Sequence, residues 1–225
     1  MRRPAPGNVV TLGDGARIRI RSIEPGDRRT LEAGFERLGA ESRYRRFFAP
    51  VSRLSEAQLT YLTDVDHHNH EALIALEEES GDGVGVARFV RIGGDVAEAA
   101  VVVVDDWQHR GVGAVLLDAL ADRAREEGIH TFAATVLASN TTAIAALSRL
   151  GVTETSRSGS EVDLSIALEG SRGAVPSLHR LLRHAAERTL HPSVSFWRRP
   201  EGSRSLPAGR RARSQGGNNG EPDSR

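Results

Sequence analysis

Cysteine and lysine are both missing from this sequence of 225 residues, so all 30 of its basic residues are arginines. Without cysteine the chain has no disulfide, no thiolate ligands for zinc and no cysteine nucleophile. Without lysine it has no P-loop, because that motif uses a lysine to contact the phosphates. The protein also has no lysine of its own to modify.

Net charge and long apolar runs are lacking as well. The formal net charge is zero, so the charge balance favours neither nucleic acid nor an acidic membrane surface as a partner. No run approaches the roughly 18 apolar residues of a membrane span, and residues 1–4 do not begin the apolar stretch of a signal peptide. We therefore expect a cytoplasmic protein that binds neither nucleic acid nor membrane; its oligomeric state stays open.

Hydrophobic periodicity divides the chain into alternating strands and helices. The predicted order is β-α-α-β-β-β-α-β-α-β-β, with about seven strands in a mixed α/β domain over residues 16–170. Residues 1–15 form an N-terminal lead. Apolar residues at helical spacing predict an amphipathic helical extension over residues 171–199. The composition of residues 200–225, rich in Gly, Ser and Arg, predicts a disordered tail.

The most informative segment lies between an apolar strand, residues 97–104, and the longest predicted helix, residues 113–127. It reads Gln108-His109-Arg110-Gly111-Val112-Gly113-Ala114. The first turn of a helix offers unpaired N–H groups and the positive end of the helix dipole, which together hold phosphate. The two glycines bring the backbone close to a ligand, and the arginine adds a charge-assisted contact at the rim. We predict that this turn binds a pyrophosphate.

Two other interpretations use the same local physics. A dinucleotide-binding turn requires a third glycine where this chain has Leu116. An ordinary strand-to-helix turn would hold two glycines by coincidence. The Gln-x-x-Gly-x-Gly pattern between an apolar strand and an amphipathic helix favours phosphate binding over both.

The segment 108–114, the order of elements, and a helix that begins at Asn140 and ends before Gly151 resemble the GNAT superfamily of acyl-CoA N-acyltransferases. The resemblance implies the GNAT fold, with a central mixed sheet and flanking helices, splayed between its fourth and fifth strands. It implies acetyl-CoA as the acyl donor, with segment 108–114 and Asn140 in its binding site. It also implies that the pantetheine arm lies in the gap and pairs with the backbone of Val103 and Val104.

Three further segments, residues 41–48, 63–68 and 84–88, resemble the catalytic domain of bacterial Pat-type protein lysine acetyltransferases. This closer resemblance implies a lysine-bearing protein as the acceptor. Members of the group often carry a fused regulatory domain, such as a cyclic-nucleotide module, and we expect none in these 225 residues.

The reaction requires a neutral amine, and a lysine with a reference pKa of about 10.4 is almost fully protonated at pH 7. Glu98 stands at the start of the strand that leads to the phosphate turn. By position alone a solvated glutamate at a strand end is the favoured interpretation; the resemblance implies instead that Glu98 is the general base for direct attack in a ternary complex. A backbone N–H near Val103 or Val104 would stabilise the oxyanion. The resemblance puts Leu147 where many family members have a tyrosine that protonates the leaving thiolate. We therefore expect no side-chain acid at this position.

A polar group of residues, Tyr44, Asp66, His67 and His68, is predicted to line the acceptor cleft, because loops on rigid scaffolds often carry function. For Asp66, His67 and His68 the alternative is that they are solvated loop residues without a role in the cleft. Histidines beside carboxylates also suggest a metal, but the His-Glu-x-x-His spacing is missing, and we expect no metal. Two further functions stay open: acetylation of a small-molecule amine, and a non-catalytic acyl-CoA-binding module.

Overall fold

The computed structural model describes residues 7–168. The predicted extension, residues 171–199, and the predicted tail, residues 200–225, lie outside the described residues. The strands are β1 (Asn8–Thr11), β2 (Arg17–Ser22), β3 (His70–Glu77), β4 (Gly83–Gly93), β5 (Val96–Val103), β6 (Thr131–Leu137), β7 (Gly151–Ser158) and β8 (Glu161–Leu168). The helices are α1 (Arg28–Glu36), α2 (Ala40–Phe47), α3 (Glu56–Thr63), α4 (Val112–Glu126) and α5 (Thr141–Ser148), with short 3-10 turns at Pro25–Asp27 and Asp105–Trp107.

All eight strands form one sheet in the order β1-β2-β3-β4-β5-β6-β8-β7. Neighbouring strands are antiparallel except β5 and β6, which are parallel. The predicted mixed sheet with flanking helices is confirmed. The strand count is one higher than predicted, because β1 lies within the segment that was expected to be a lead and pairs with β2.

The sheet opens between β5 and β6. Only three pairs join these strands, and the last of them is Glu98 with Ala133. Beyond it, β5 continues along β4 while β6 continues along β8, so the two strands diverge. The predicted splay is therefore confirmed, at the strands numbered fifth and sixth once β1 is counted, and the gap begins directly after Glu98.

Helices cover both faces of the sheet. A side chain at Gly85 would point at Leu116 of α4, whereas the next residue, Val86, packs with Leu31 of α1. Successive side chains of a strand point to opposite faces, so α4 and the α1–α3 group lie on opposite sides. Among the described helices none is long and apolar enough to cross a membrane.

Candidate active site

Helix α4 begins inside the predicted phosphate-binding turn. Its N-cap, Gly111, has a φ of 93°, a left-handed conformation that favours glycine. The first helical hydrogen bond runs from the N–H of Val115 to the carbonyl of Gly111, at 3.1 Å. The N–H groups of Val112, Gly113 and Ala114 are therefore those that a helix leaves without a helical partner. No side chain caps this end of the helix, so the turn has the geometry of an anion site.

A groove of about 290 Å³ runs from this turn along the gap in the sheet. Strand β5 forms one wall and the start of α5 forms another, while α2 closes the side. Its dimensions and its polar end at the helix suit an elongated ligand that carries phosphate at one end. Seven of the predicted donor-binding residues line it: Val103, Gln108, His109, Gly111, Gly113, Ala114 and Asn140.

The other three predicted donor-binding residues, Val104, Arg110 and Val112, do not line the groove. Val112 is 1% exposed and anchors α4 in the core. The Nε of Arg110 lies 2.5 Å from Asp14 Oδ2, and its guanidinium stacks 3.9 Å from the centre of the Trp107 ring. Arg110 therefore ties the turn to the β1–β2 connection.

The side chain of Gln108 holds the turn in place from within. Its Nε2 lies 3.1 Å from the carbonyl oxygen of Val103, and equally far from Ser42 Oγ and Asp105 Oδ1. The turn is thus fixed to the end of β5 and to α2. This contact explains why a glutamine opens the motif, since an amide donates hydrogen bonds to both elements at once.

The backbone of β5 offers hydrogen-bonding groups to the gap. The N–H of Val104 donates to the carbonyl of Val84 at 3.0 Å, so it is directed into the sheet. Along an antiparallel pair, residues alternate between those that bond the partner strand and those that face away. The N–H groups of Val101 and Val103 therefore point towards the gap, where β6 has already diverged.

Glu98 occupies the apex of the gap and is 9% exposed. Its charge acts on two neighbouring groups, Arg46 and Tyr61, and both of these interact with Arg88. Burial lowers the pKa of the Arg46 guanidinium, and the charge of Glu98 opposes that shift. Burial also raises the pKa of the Tyr61 phenol and lowers the pKa of Arg88 to about 9. The buried carboxylate thus stands near enough to the Arg46 guanidinium for their charges to interact, in a setting where such interactions are strong.

Arg88 is held at the floor of this region. Its guanidinium lies 2.9 Å from His70 Nε2 and donates to the carbonyl of Leu62 at 3.0 Å. Burial, and after it the charge of Arg88, lowers the pKa of His70 to about 4. The ring of Tyr61 lies 5.0 Å from the ring of His70. Near physiological pH the His70 ring is therefore neutral. Its Nε2 accepts a hydrogen bond from the Arg88 guanidinium and so holds Arg88 in place.

The predicted cleft residues occupy two places. Tyr44 is 49% exposed on α2, the helix that closes one side of the groove. His67 and His68 lie on the loop before β3 and pair with Glu71 at 2.9 Å and Glu127 at 2.5 Å. Glu127 follows the C-terminal end of α4. The helix has 15 residues, so this end lies about 22 Å from the phosphate turn at its other end. Neither Tyr44 nor these histidines line the groove.

Asp66 organises the loop that carries those histidines. Its Oδ1 accepts hydrogen bonds from the N–H groups of His68, Asn69 and His70, at 2.8 to 2.9 Å. Burial alone would raise the pKa of Asp66, but these N–H groups outweigh it and hold the pKa at about 2. The role that the contacts show is structural.

Replacement of Asp66 by Asn is expected to remove a pH-dependent part of the stability. The folded-state pKa is about 2 against an ordinary 3.8, so the contribution is present above about pH 4 and is lost as the pH falls towards 2. Because the side chain is exposed, we expect no more than about 1 kcal/mol. Urea unfolding at pH 7 and pH 3 measures it, with Asp64→Asn as the control in the same loop. Equal pH dependence in wild type and Asp66→Asn would contradict this prediction.

Sequence reasoning missed the contribution of α2 to the groove. Ser42, Arg45 and Arg46 all line it, and their spacing of i, i+3 and i+4 places them on one face of a helix. That spacing was visible in the sequence. The segment lacks an apolar helical stripe, however, so nothing predicted a helix there.

Among residues 7–168 no group of three potential metal ligands is close enough to hold an ion. Residues 38–152, just over half of the chain, match the model of the acetyltransferase (GNAT) family. The chain belongs to the GNAT family. The sheet with its splayed strands is the GNAT fold.

Within the GNAT family the chain is similar to Pat-type proteins, as the sequence motifs predicted. It is 38% identical over 151 residues to Acetyltransferase Pat of Mycolicibacterium smegmatis, covering 66% of this chain and 44% of that protein. It is 34% identical over 125 residues to Acetyltransferase PA5475 of Pseudomonas aeruginosa, covering 54% of this chain and 67% of that protein. The solved GNAT domain of S. lividans PAT superposes with a TM-score of 0.67 at 35% identity, covering 72% of this chain and 97% of that domain. The chain spans less than half the length of the Mycolicibacterium relative.

Proposed function

We propose that this GNAT chain transfers the acetyl group of acetyl-CoA to a primary amine, and that the amine is a lysine side chain of a protein. The observation that carries the proposal is the position of Glu98. This buried carboxylate stands where β5 and β6 part, at the end of the gap that the donor groove follows. A base at that point meets an amine entering from the side opposite the donor.

The donor would lie along the groove with its pyrophosphate at the start of α4. The N–H groups of Val112, Gly113 and Ala114 hold the phosphates without a lysine, which this chain lacks. The pantetheine amides pair with the N–H groups of Val101 and Val103 and with the carbonyl of Val101, since the carbonyl of Val103 already accepts a hydrogen bond from Gln108. Asn140 supports the facing wall, because its Oδ1 accepts the N–H of Ala143 at 3.2 Å and so fixes the start of α5.

The chemistry is a direct attack. Glu98 accepts the proton of the amine, directly or through one water, as the amine nitrogen bonds to the thioester carbon. The carbon–sulfur bond then breaks, and a backbone N–H of β5 stabilises the transient oxyanion. Leu147 is buried where many family members have a tyrosine, so the CoA thiolate leaves without a side-chain acid at that position.

The lysine acceptor rests on the likeness to the Pat-type proteins and on the exposed α2 face. On that exposed face Tyr44 offers an apolar ring with a polar tip, which suits contact with a protein partner. The half-buried Arg46 lies close enough to Glu98 to interact with its charge, and it keeps positive potential near the base. An ammonium is therefore disfavoured and a neutral amine is favoured at the point of attack.

The test measures thiol release from acetyl-CoA with a lysine-bearing protein as acceptor. The chain contains no cysteine and no lysine, so the enzyme itself adds neither a thiol nor an acetyl-lysine to the measurement. We expect release that depends on the acceptor and is lost when the acceptor lysines are reductively methylated to tertiary amines. Release only with small-molecule amines would contradict the lysine assignment. Donor binding without release to any amine would contradict the enzymatic proposal.

A further inference from the structure

A second pocket, half open and of about 60 Å³, lies between helices α1–α3 and the sheet. Most of its wall is apolar, but two arginines, Arg46 and Arg88, also line it. Arg46 borders the donor groove as well. The volume corresponds to about four waters at about 15 Å³ each. The pocket therefore suits a small group that is apolar along its body and negatively charged at one end.

The two arginines place like charges close together in a setting with little water. Arg88 is 3% exposed, and burial, followed by the charge of Arg46, lowers the pKa of Arg88 to about 9. Within residues 7–168 neither guanidinium forms an ion pair with a carboxylate. Glu98 acts on Arg46 from a longer distance. Two cations thus stand near one carboxylate, and the surplus positive charge favours a further anion.

Both guanidinium groups have hydrogen-bond donors to offer. In Arg88, Nη1 lies 2.9 Å from His70 Nε2 and Nη2 donates to the carbonyl of Leu62 at 3.0 Å. A guanidinium carries five N–H donors, so these contacts fix its plane and leave the other donors for a ligand. Arg46 stacks 5.2 Å from the centre of the Phe47 ring and makes no hydrogen bond within the described residues. Planar donor groups of this kind match the two oxygens of a carboxylate.

The pocket and the proposed base lie on one face of the sheet. Arg88 pairs with Ala100 across β4 and β5, and Ala100 is two residues from Glu98 on the same face of β5. Two residues of a strand span about 7 Å, so an anion at the arginines and an amine at Glu98 would be about that far apart. Side chains two positions apart in an extended peptide are separated by the same distance and point the same way.

We propose that this pocket binds the carboxylate of an aspartate or glutamate in the acceptor protein, two positions before or after the lysine that is acetylated. The inference rests on the proposed function and adds to it the sequence around the lysine. The apolar walls pack against the methylene groups of the acidic side chain, and the two arginines hold its carboxylate. Lysines in acidic segments are then the preferred acceptors.

The experiment compares acceptor peptides of identical composition and net charge. In the first peptide a glutamate lies two positions from the lysine and a glutamine lies one position from it; in the second the two residues are exchanged. Separate pairs carry them before and after the lysine. In one of these pairs we expect kcat/KM of the first peptide to be higher by about 10–100-fold, the effect of a hydrogen bond to a charged group.

Two results of this comparison would overturn the proposal. One is an equal kcat/KM for the two peptides in both pairs, which would show that the pocket does not read the acceptor sequence. The other is faster transfer from succinyl-CoA than from acetyl-CoA, because the donor would then supply the carboxylate that the arginines hold.

A matched set of variants tests the location. Arg46→Gln removes a positive charge at the border of the pocket, whereas Arg157→Gln removes one from an exposed position on the edge strand β7. We expect Arg46→Gln to lower the preference for the first peptide about tenfold and Arg157→Gln to leave it unchanged. Arg46→Lys keeps the charge but not the planar fork, so it should retain an intermediate preference. An unchanged preference in Arg46→Gln would place the acidic side chain elsewhere.

Peptide binding separates this inference from the proposed function. Dissociation constants measured by fluorescence anisotropy in the presence of CoA need no turnover, so they report on the pocket even if no acceptor reacts. Tighter binding of the first peptide without acetyl transfer would keep the pocket and contradict the reaction. Acetyl transfer to both peptides with equal dissociation constants and equal kcat/KM would contradict only the pocket.

Discussion

Glu98→Gln is expected to lower kcat/KM for acetyl transfer by about 10²–10⁴-fold, the usual contribution of a general base. Glutamine keeps the size of the side chain and its place at the apex of the gap, but it does not accept a proton. The donor groove is untouched, so the dissociation constant of CoA should stay the same. Kinetics with saturating acceptor and calorimetry with CoA measure the two quantities.

The pH profile distinguishes a lost base from a damaged site. Without a base the variant depends on amine that is already neutral, so its rate should rise about tenfold per pH unit below the lysine pKa of about 10.4. Glu154→Gln, at an exposed position on β7, is the control and should behave as wild type. A loss below tenfold in Glu98→Gln would mean that the proton leaves by another route.

Gly113→Asp is expected to weaken CoA binding by on the order of 100-fold relative to Gly113→Asn. The two side chains have nearly the same size and shape, and a Cβ at Gly113 meets only Val103 Cγ2, at an ordinary contact distance of 3.6 Å. Only the aspartate puts a negative charge against the phosphates at the helix start. Because the two variants differ in charge and hardly in size, the difference between their CoA affinities reports the effect of the charge.

Titration calorimetry at two salt concentrations completes this test. The difference between the aspartate and asparagine variants should narrow as salt rises, because screening shortens the range of the repulsion. Equal affinity of the two variants would show that the pyrophosphate binds away from α4. Circular dichroism of each variant controls for loss of the helix.

The features that the sequence predicted well are those that depend on neighbouring residues. Asn140 was predicted to cap a helix, and its side chain accepts the N–H of Ala143. Ser55 was expected to cap another, and its side chain accepts the N–H of Gln58 at 3.3 Å. Both contacts join residues three positions apart, so the local pattern contains both partners. The helix after the phosphate turn has an apolar stripe over four turns and was predicted almost to its ends.

The features that were missed depend on distant partners. Strand β1 has four residues, none of them buried, and no apolar alternation; it exists because β2 offers a free edge to pair with. Helix α2 is largely charged and is held by Phe47, which is 5% exposed and packs 5.7 Å from the ring of Phe35. Neither partner can be identified from local spacing.

By itself the sequence determined the class of protein and the elements other than β1 and α2, and it singled out the turn that we propose holds the phosphates, because periodicity and glycine placement act within a few residues. Only the tertiary structure decided which groups surround Glu98, that Arg110 pairs with Asp14, and that Val101 and Val103 rather than Val104 face the gap. Those outcomes follow from strand register and from packing between segments far apart in the chain, which short-range patterns do not encode.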